Sequence, residues 1–454
     1  MSSVSWWFIY QECLPPVAYQ GVAAVTPILI PCLLLRLMVA SRLMPDWHIN
    51  LMGALSGAAV LVHYYEESSI YFFVLCIVCY FIIATVSQKG TSVAVLSVAF
   101  IIACEQLIVA PASWHKIRGS ILLMIMKMIS IGFDMETRPT PHSSKSSTLQ
   151  PPQAKPTFLE YCCYCIMPGT TVFGPFISYQ THLGFLNPTP LTYPWFFKLV
   201  LSLVKAVIAV CVSVCIANFL FPAPVWNKWL TAYSAALSFR TSHYFVCYLS
   251  EVTATAVGIG YENRADGSQD WDKLAVCHPR HVELPRSFSM VITNWNLSMH
   301  LFLKNYVFKP ARRRVGPFGA IFLTFVASSI LHGLNFQLAA VLLSIGVYAY
   351  IENRLRSKLS KRLDACVLDR PCGPECGHSH TPNDTWWVWL VNIQFTLLVM
   401  FHLAYLGLMF RSEPDMQEFD YQGFSMWHTL RKWAQLDFAS HWVAMATYLV
   451  SLVI

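Results

Sequence analysis

One histidine stands where a histidine is costly. His332 lies in FLTFVASSILHGLNFQLAAVLL, deep in the uncharged window 315–351. Ionisable side chains in such windows face a cavity or a partner, because hydrocarbon solvates them poorly. An imidazole kept in apolar surroundings is neutral near pH 7, and the neutral form can take a proton from a hydroxyl. The plainer reading is helix packing, with the ring satisfied by a backbone carbonyl. Upstream, Asn296 sits in NWNLSMHLFLKNYVFKP, a semi-polar stretch rich in Trp, Asn and Tyr that ends in a basic cluster. Taken alone, it reads as an interfacial helix with an aromatic belt. Asn296 also opens an Asn-Leu-Ser sequon, discounted as buried.

Other candidates carry weaker signals. Cys366, Cys372, Cys376, His378 and His380 fall in CVLDRPCGPECGHSH. Cys and His at short spacing are the usual zinc ligands, but the spacing is not a standard zinc pattern. Reduced structural or S-acylated cysteines fit as well, so no metal is assigned. Glu251 and Glu262 flank TATAVGIG; a helix-packing carboxylate paired with a polar neighbour is the plainer reading of Glu251, a cavity acid the sharper one. Ser328 and Ser329 share the His332 face of a helix, where small residues more often serve packing. No Gly-rich phosphate loop, dinucleotide fingerprint or basic-aromatic surface points to nucleic acid. No internal repeat supports an inverted-repeat transporter.

These residues must be held by membrane helices. Of 454 residues, 56% are hydrophobic and only 12% charged, about half the charge of a soluble domain. A crossing needs roughly 20 apolar residues. Segments 22–35, 50–62, 69–88, 91–104, 196–220, 315–351 and 386–410 meet or approach that standard, and 315–351 is long enough to cross twice. Segments 119–133, 159–180, 226–260, 285–307 and 439–454 are weaker and carry polar residues. The expectation is an all-α polytopic membrane protein in a single domain, 1–454, with about eleven crossings and some broken or re-entrant helices. Polar stretches at 134–157, 262–286, 352–384 and 411–424 connect them, the first a flexible Pro/Ser/Lys-rich loop and the last acidic (Glu413, Asp415, Glu418, Asp420).

Met1–Gly21 has no basic start and contains Glu12, Pro15 and Pro16, so the first apolar run is expected to be retained as an insertion signal. Of fifteen cysteines, Cys76, Cys79, Cys104, Cys211 and Cys215 lie in apolar runs and read as small hydrophobes.

Charge sets the orientation. Lys309, Arg312, Arg313 and Arg314 precede the 315–351 window, and Arg354, Arg356, Lys358, Lys361 and Arg362 follow it. Basic flanks face the cytosol, so the chain goes across and returns, turning near Gly333–Asn335. His332 then lies about 27 Å of helix from the cytosolic flank, toward the lumen. The Cys/His loop 352–384 is cytosolic, and the sequon Asn383-Asp384-Thr385 is unglycosylated.

The pair WN and, some 35 residues on, an apolar LHG resembles the membrane-bound O-acyltransferase family. The stretches WHKIRGSILLMIMKMISIGFD (114–134), VFGPFISY (172–179), YFVCYLSEVTATAVGIGY (244–261), VELPRSF (282–288), WNLSMHLFLKNYVFK (295–309) and LHGLNFQLAAVLLS (331–344) carry the resemblance over most of the chain. SEVTAT, VELPRS and NYVFK point to the branch that acylates secreted proteins. What the resemblance implies is an enzyme of the endoplasmic reticulum membrane. Such enzymes move a palmitoleoyl group from coenzyme A to a serine hydroxyl of Wnt proteins, with acyl-CoA as co-substrate, no further cofactor, and membrane lipids as surroundings. The family's catalytic His falls on His332 and its accompanying Asn on Asn296. The branch usually reads WNLPMS, so Ser298 and His300 depart from its pattern and leave the fine substrate contacts open.

On that reading His332 is the base toward the acceptor serine. Asn296 orients the thioester carbonyl or holds the oxyanion, with Trp295 as a wall, and Lys309, Arg312 and Arg313 form a basic rim for coenzyme A phosphates. Transfer is direct, since no nucleophile motif stands beside His332. The alternatives are the same fold with a lysophospholipid, sterol or other secreted peptide as acceptor, or a transporter using His332 as a proton relay.

Overall fold

The computed structural model describes residues 6–136, 155–187, 191–220, 227–263, 269–271, 274–333, 335–373, 376–410 and 426–454. The chain is a multi-pass helical membrane protein. Six helical segments are long and apolar enough to cross: Asp46–Thr85, Lys89–Ile108, Tyr193–Ile216, Leu297–Leu331, Phe336–Leu363 and Trp386–Phe410. Two bent pairs, Trp6–Ala23 with Thr26–Ser41 and Met426–Gln435 with Ala439–Val453, raise the number to eight. The expected eleven therefore exceeds what length and apolarity support among the described residues. Part of the difference is physical. Pro111–Glu136 and Lys228–Val257 run 26 and 30 residues, lengths of about 39 and 45 Å, but are too polar for that test. The weak segment 159–180 is not a crossing: its helix, Phe158–Ile166, spans nine residues and breaks at Pro168–Thr170. The one sheet among the described residues is a pair of two-residue strands, Glu262–Asn263 and Gln269–Asp270.

Two expectations about connections change. The helix Pro111–Glu136 runs past Asp134, and Thr157 caps the next helix through a reciprocal pair with Glu160. The rest of the loop expected at 134–157 lies outside the described residues, as does the acidic stretch with Glu413, Asp415, Glu418 and Asp420. Cys215, expected as a small hydrophobe, is instead bonded to Cys13, with the two Cα atoms 5.9 Å apart. The bridge fastens the first helix to the π-helical turn Val212–Ile216. Residue type at a lone position cannot announce a partner 202 residues away.

The apolar interior is in two parts. One core gathers Ile28 to Phe185 from the first half of the chain, joined by Ala254, Ala256, Val257, Phe302, Tyr306 and Leu331. The other gathers Ala209, Ala232, Ala235, Tyr244 and Cys247 with Phe288, Val291, Val341, Tyr348, Val399 and Tyr405. Among the described residues the chain passes between the cores at five places, between Phe185 and Ala209, Cys247 and Ala254, Leu274 and Val276, Val291 and Phe302, and Leu331 and Val341.

Helices that begin inside such a body must find donors' partners without water. The sequence supplies them. Ser287, Asn296 and Asn335 each accept from the backbone N–H three residues on, at Met290, Met299 and Leu338. These caps open Phe288–Trp295, Leu297–Phe302 and Phe336–Leu363. The 285–307 segment is thus a chain of short helices, ending in a π-helical run Leu303–Phe308 before Lys309–Leu331.

Candidate active site

His332 ends the helix Lys309–Leu331, with its backbone N–H donating to Ser328 O at 3.2 Å. The reversal comes immediately after, and the return helix starts at Phe336, so the turn falls where the residue types place it. Gly333 takes φ +94°, a left-handed conformation that suits glycine. A Cβ there would also lie 2.8 Å from Glu105 Oε2. The glycine of LHG therefore serves both the turn and the close approach of a carboxylate.

Asn296 stands at the joint between Phe288–Trp295 and Leu297–Phe302, in extended conformation. Its Oδ1 accepts from Met299 N at 3.0 Å and from Ser298 Oγ at 2.9 Å. With the oxygen committed to the cap, the amide Nδ2 is the end left to meet a substrate, and Nδ2 is a donor. A donor is what a developing oxyanion requires.

His243, on the long helix Lys228–Val257, joins the two. Its ring stacks on Trp295 at 4.3 Å with planes 2° apart, and its Nε2 lies 3.0 Å from Trp295 O. His243 and Arg118 both lie within Coulombic reach of His332, and Arg118 within reach of Glu105. His243 and His332 are enclosed by protein, yet each keeps accessible surface. His332 and Asn296 lie on two of the segments that pass between the cores, and so at the seam where the cores meet.

The remaining candidates divide. Trp295 is stacked between His243 and Phe239, with Phe239 on Phe410. Lys309, Arg312 and Arg313 are exposed at the start of their helix, beyond a break at Gly316 (φ 75°, ψ 178°) and Pro317. They form a basic patch away from the seam, and Lys309 Nζ donates to Asn305 Oδ1 at 2.8 Å. Ser329 Oγ donates to Phe325 O in its own helix, as a helix-packing serine does. Glu251 is buried and satisfied by Lys198 Nζ (3.3 Å) and Val276 N (2.9 Å), so the plainer reading of it holds.

The sequence does not single out His243, Arg118 or Glu105. A signal existed: each is ionisable in a stretch otherwise bound for the membrane. What it lacked was any indication of which of these would meet His332.

The positions are fixed by the polar motif VELPRSF. Glu283 accepts from Arg240 Nε and NH2 at 2.7 and 2.8 Å and from Tyr244 OH at 2.7 Å. This ties the start of the Asn296 segment to the helix that carries His243. Arg286 donates to the carbonyls of Leu368 and Cys366 (3.0 and 2.9 Å), and Ser287 to that of Asp369. One short loop thus anchors both the helix of His243 and the Cys/His loop.

His243 thus stands between a largely enclosed imidazole, His332, and the joint that carries Asn296. The chain belongs to the membrane-bound O-acyltransferase family, whose model covers residues 57–357 and so takes in both Asn296 and His332. It is similar to the protein-serine O-palmitoleoyltransferase porcupine of Homo sapiens, 36% identical over 97% of this chain and 96% of that one. The protein of the same name from Mus musculus is 35% identical over the same shares. That from Anopheles gambiae is 32% identical over 89% of this chain and 85% of its own length.

Proposed function

We propose that this chain is an acyl-CoA-dependent protein-serine O-acyltransferase of the endoplasmic reticulum membrane, moving palmitoleoyl onto a serine of Wnt proteins. The observation that carries the reading is His243, which packs on Trp295 beside Asn296 and lies within Coulombic reach of His332, in a chain similar over nearly its whole length to protein-serine palmitoleoyltransferases. The two cores act as one catalytic domain.

His332 accepts the proton of the acceptor serine as its Oγ attacks the thioester carbonyl carbon. Negative charge builds on the carbonyl oxygen, where the Asn296 amide donates. The C–S bond breaks, the proton held by His332 passes to the departing thiolate, and ester and free coenzyme A result. Trp295 and His243 form a flat wall that limits where the acyl group lies. Coenzyme A enters from the cytosolic side, where Lys309, Arg312 and Arg313 meet its phosphates; the acceptor enters from the lumen. No resident cofactor is needed for this step, since the base and the donor are side chains.

The test is acyl transfer in membranes holding the full chain, with palmitoleoyl-CoA and a Wnt-derived serine peptide, for wild type and His332→Ala. The reading expects transfer by wild type alone. Equal transfer by both removes His332 as base. Transfer to a lysophospholipid or sterol, with none to the peptide, replaces the acceptor and keeps the chemistry.

A further inference from the structure

A second cluster of reactive side chains lies outside the seam and has no part in acyl transfer. Cys366 Sγ, Cys372 Sγ, Cys376 Sγ and a His378 nitrogen all fall within 4.8 Å of one another. Cys366 and Cys376 sulfurs are 3.1 Å apart, and His378 Nδ1 lies 2.9, 3.7 and 3.7 Å from Cys376, Cys366 and Cys372. Four ligand atoms around one centre at Zn–S and Zn–N lengths stand on the order of 3.5–3.8 Å apart, close to these separations. A disulfide bond is about 2.05 Å, which leaves the Cys366–Cys376 pair unbonded and leaves the third thiol and the imidazole unexplained.

The surroundings fit a metal. His378 Nε2 lies 3.0 Å from Ser360 Oγ, so the ring's outer nitrogen is held while Nδ1 points inward, as ligating histidines are held in metal sites. His380, in the same short run, does not join them: its backbone bridges Asp364 and Cys366, and its ring lies against Trp387. The loop's own apolar core is four buried residues, Ala365, Cys366, Val367 and Val388, too few to fix a polar segment by burial. Yet this segment carries fixed duties. Its carbonyls at Cys366, Leu368 and Asp369 receive Arg286 and Ser287, and Asn392 Nδ2 also donates to Cys366 O.

We propose that Cys366, Cys372, Cys376 and His378 bind one structural zinc ion, which locks the loop that anchors VELPRSF and through it the Asn296 joint. Three thiolates and one imidazole make a closed set with no position for substrate or water, and that set favours zinc over hard cations. On binding, the three thiols give up their protons to solvent. The inference does not depend on the reaction proposed above.

The full chain, purified in detergent without chelator, is measured for metal by mass spectrometry against protein concentration. The expected result is about one zinc per chain for wild type, as for a closed tetrahedral site. His380→Ala keeps it, and Cys372→Ser and His378→Ala fall to roughly a fifth or less of that content. A thiol-modifying mercurial added to wild type releases the same equivalent to a zinc-binding dye, a reading that needs no variant to fold. Monodisperse wild type without zinc overturns the proposal. So does peptide mapping that finds a Cys366–Cys376 disulfide or an acyl group on any of the three sulfurs.

Discussion

The seam and the Cys/His loop are both polar regions of an apolar protein, and they differ in what they leave open. In the loop the most deeply buried charge is fully spent. Arg356 is fully buried and gives its donors to Glu352, Val367 O, Asn392 and Arg286 O, while Glu352 also accepts from Phe288 N. At the seam the commitments stop short: Asn296 uses its oxygen, His243 one nitrogen, and both His243 and His332 keep some accessible surface. Closed valence marks a part that positions; open valence marks a part that reacts.

The contrast can be broken by substitution. His332→Ala should lower kcat for serine acylation by about a thousandfold, within the range of a lost general base, with an unchanged thermal midpoint. A midpoint that collapses along with activity would move His332 to the packing class. Arg356→Ala should act the other way. It strands a buried carboxylate, which costs about 3–5 kcal/mol, so folded yield and thermal midpoint drop while turnover per folded molecule stays within a few-fold of wild type. Unchanged stability would show that the loop's closed network holds nothing in place.

Asn296→Asp sharpens the distinction inside a single side chain. The carboxylate can still cap Met299 N, but it has no amide donor. Activity should fall about a hundredfold through loss of the oxyanion donor, with stability held; Asn296→Ala should add roughly 1 kcal/mol of lost cap. Equal activity of Asn and Asp would confine Asn296 to capping.

Smaller effects come from the rim. Arg312→Ala and Arg313→Ala, at exposed positions, should each raise KM for acyl-CoA only several-fold, and less at high salt, as exposed charges do. The smallest is a null: Asn383→Gln should leave glycosidase-sensitive mass unchanged in cells, and a loss of glycan would reverse the orientation assigned to 352–384.

How much of this was legible in the sequence follows from range. His332 was readable because its cost is local: an ionisable group in an uncharged window. The turn at Gly333 and the cap at Asn335 were readable from residue type. Asn296 was visible only beside LHG, since a semi-polar Trp/Asn/Tyr stretch suits an interface equally well. The seam itself was not legible. It depends on which helix lies against which, and nothing local says that His243 stacks on Trp295 or that Glu105 closes on Gly333. Nor does spacing reveal that His378 and not His380 turns toward the three thiols. The segment 159–180 was read as a weak span for a related reason: it is apolar on average, but Pro168 and Gly169 break it after nine helical residues.

The division into two cores bears on how the molecule is made. Chains enter the membrane from the N-terminus onward at a finite rate, and the first core draws almost all its members from residues 28–186. That part can consolidate while the ribosome still holds the rest. The second core, and every segment that crosses between the two, is synthesised afterwards. Catalytic competence is therefore a late event in the life of each molecule: a chain arrested halfway holds most of the first core but neither Asn296 nor His332.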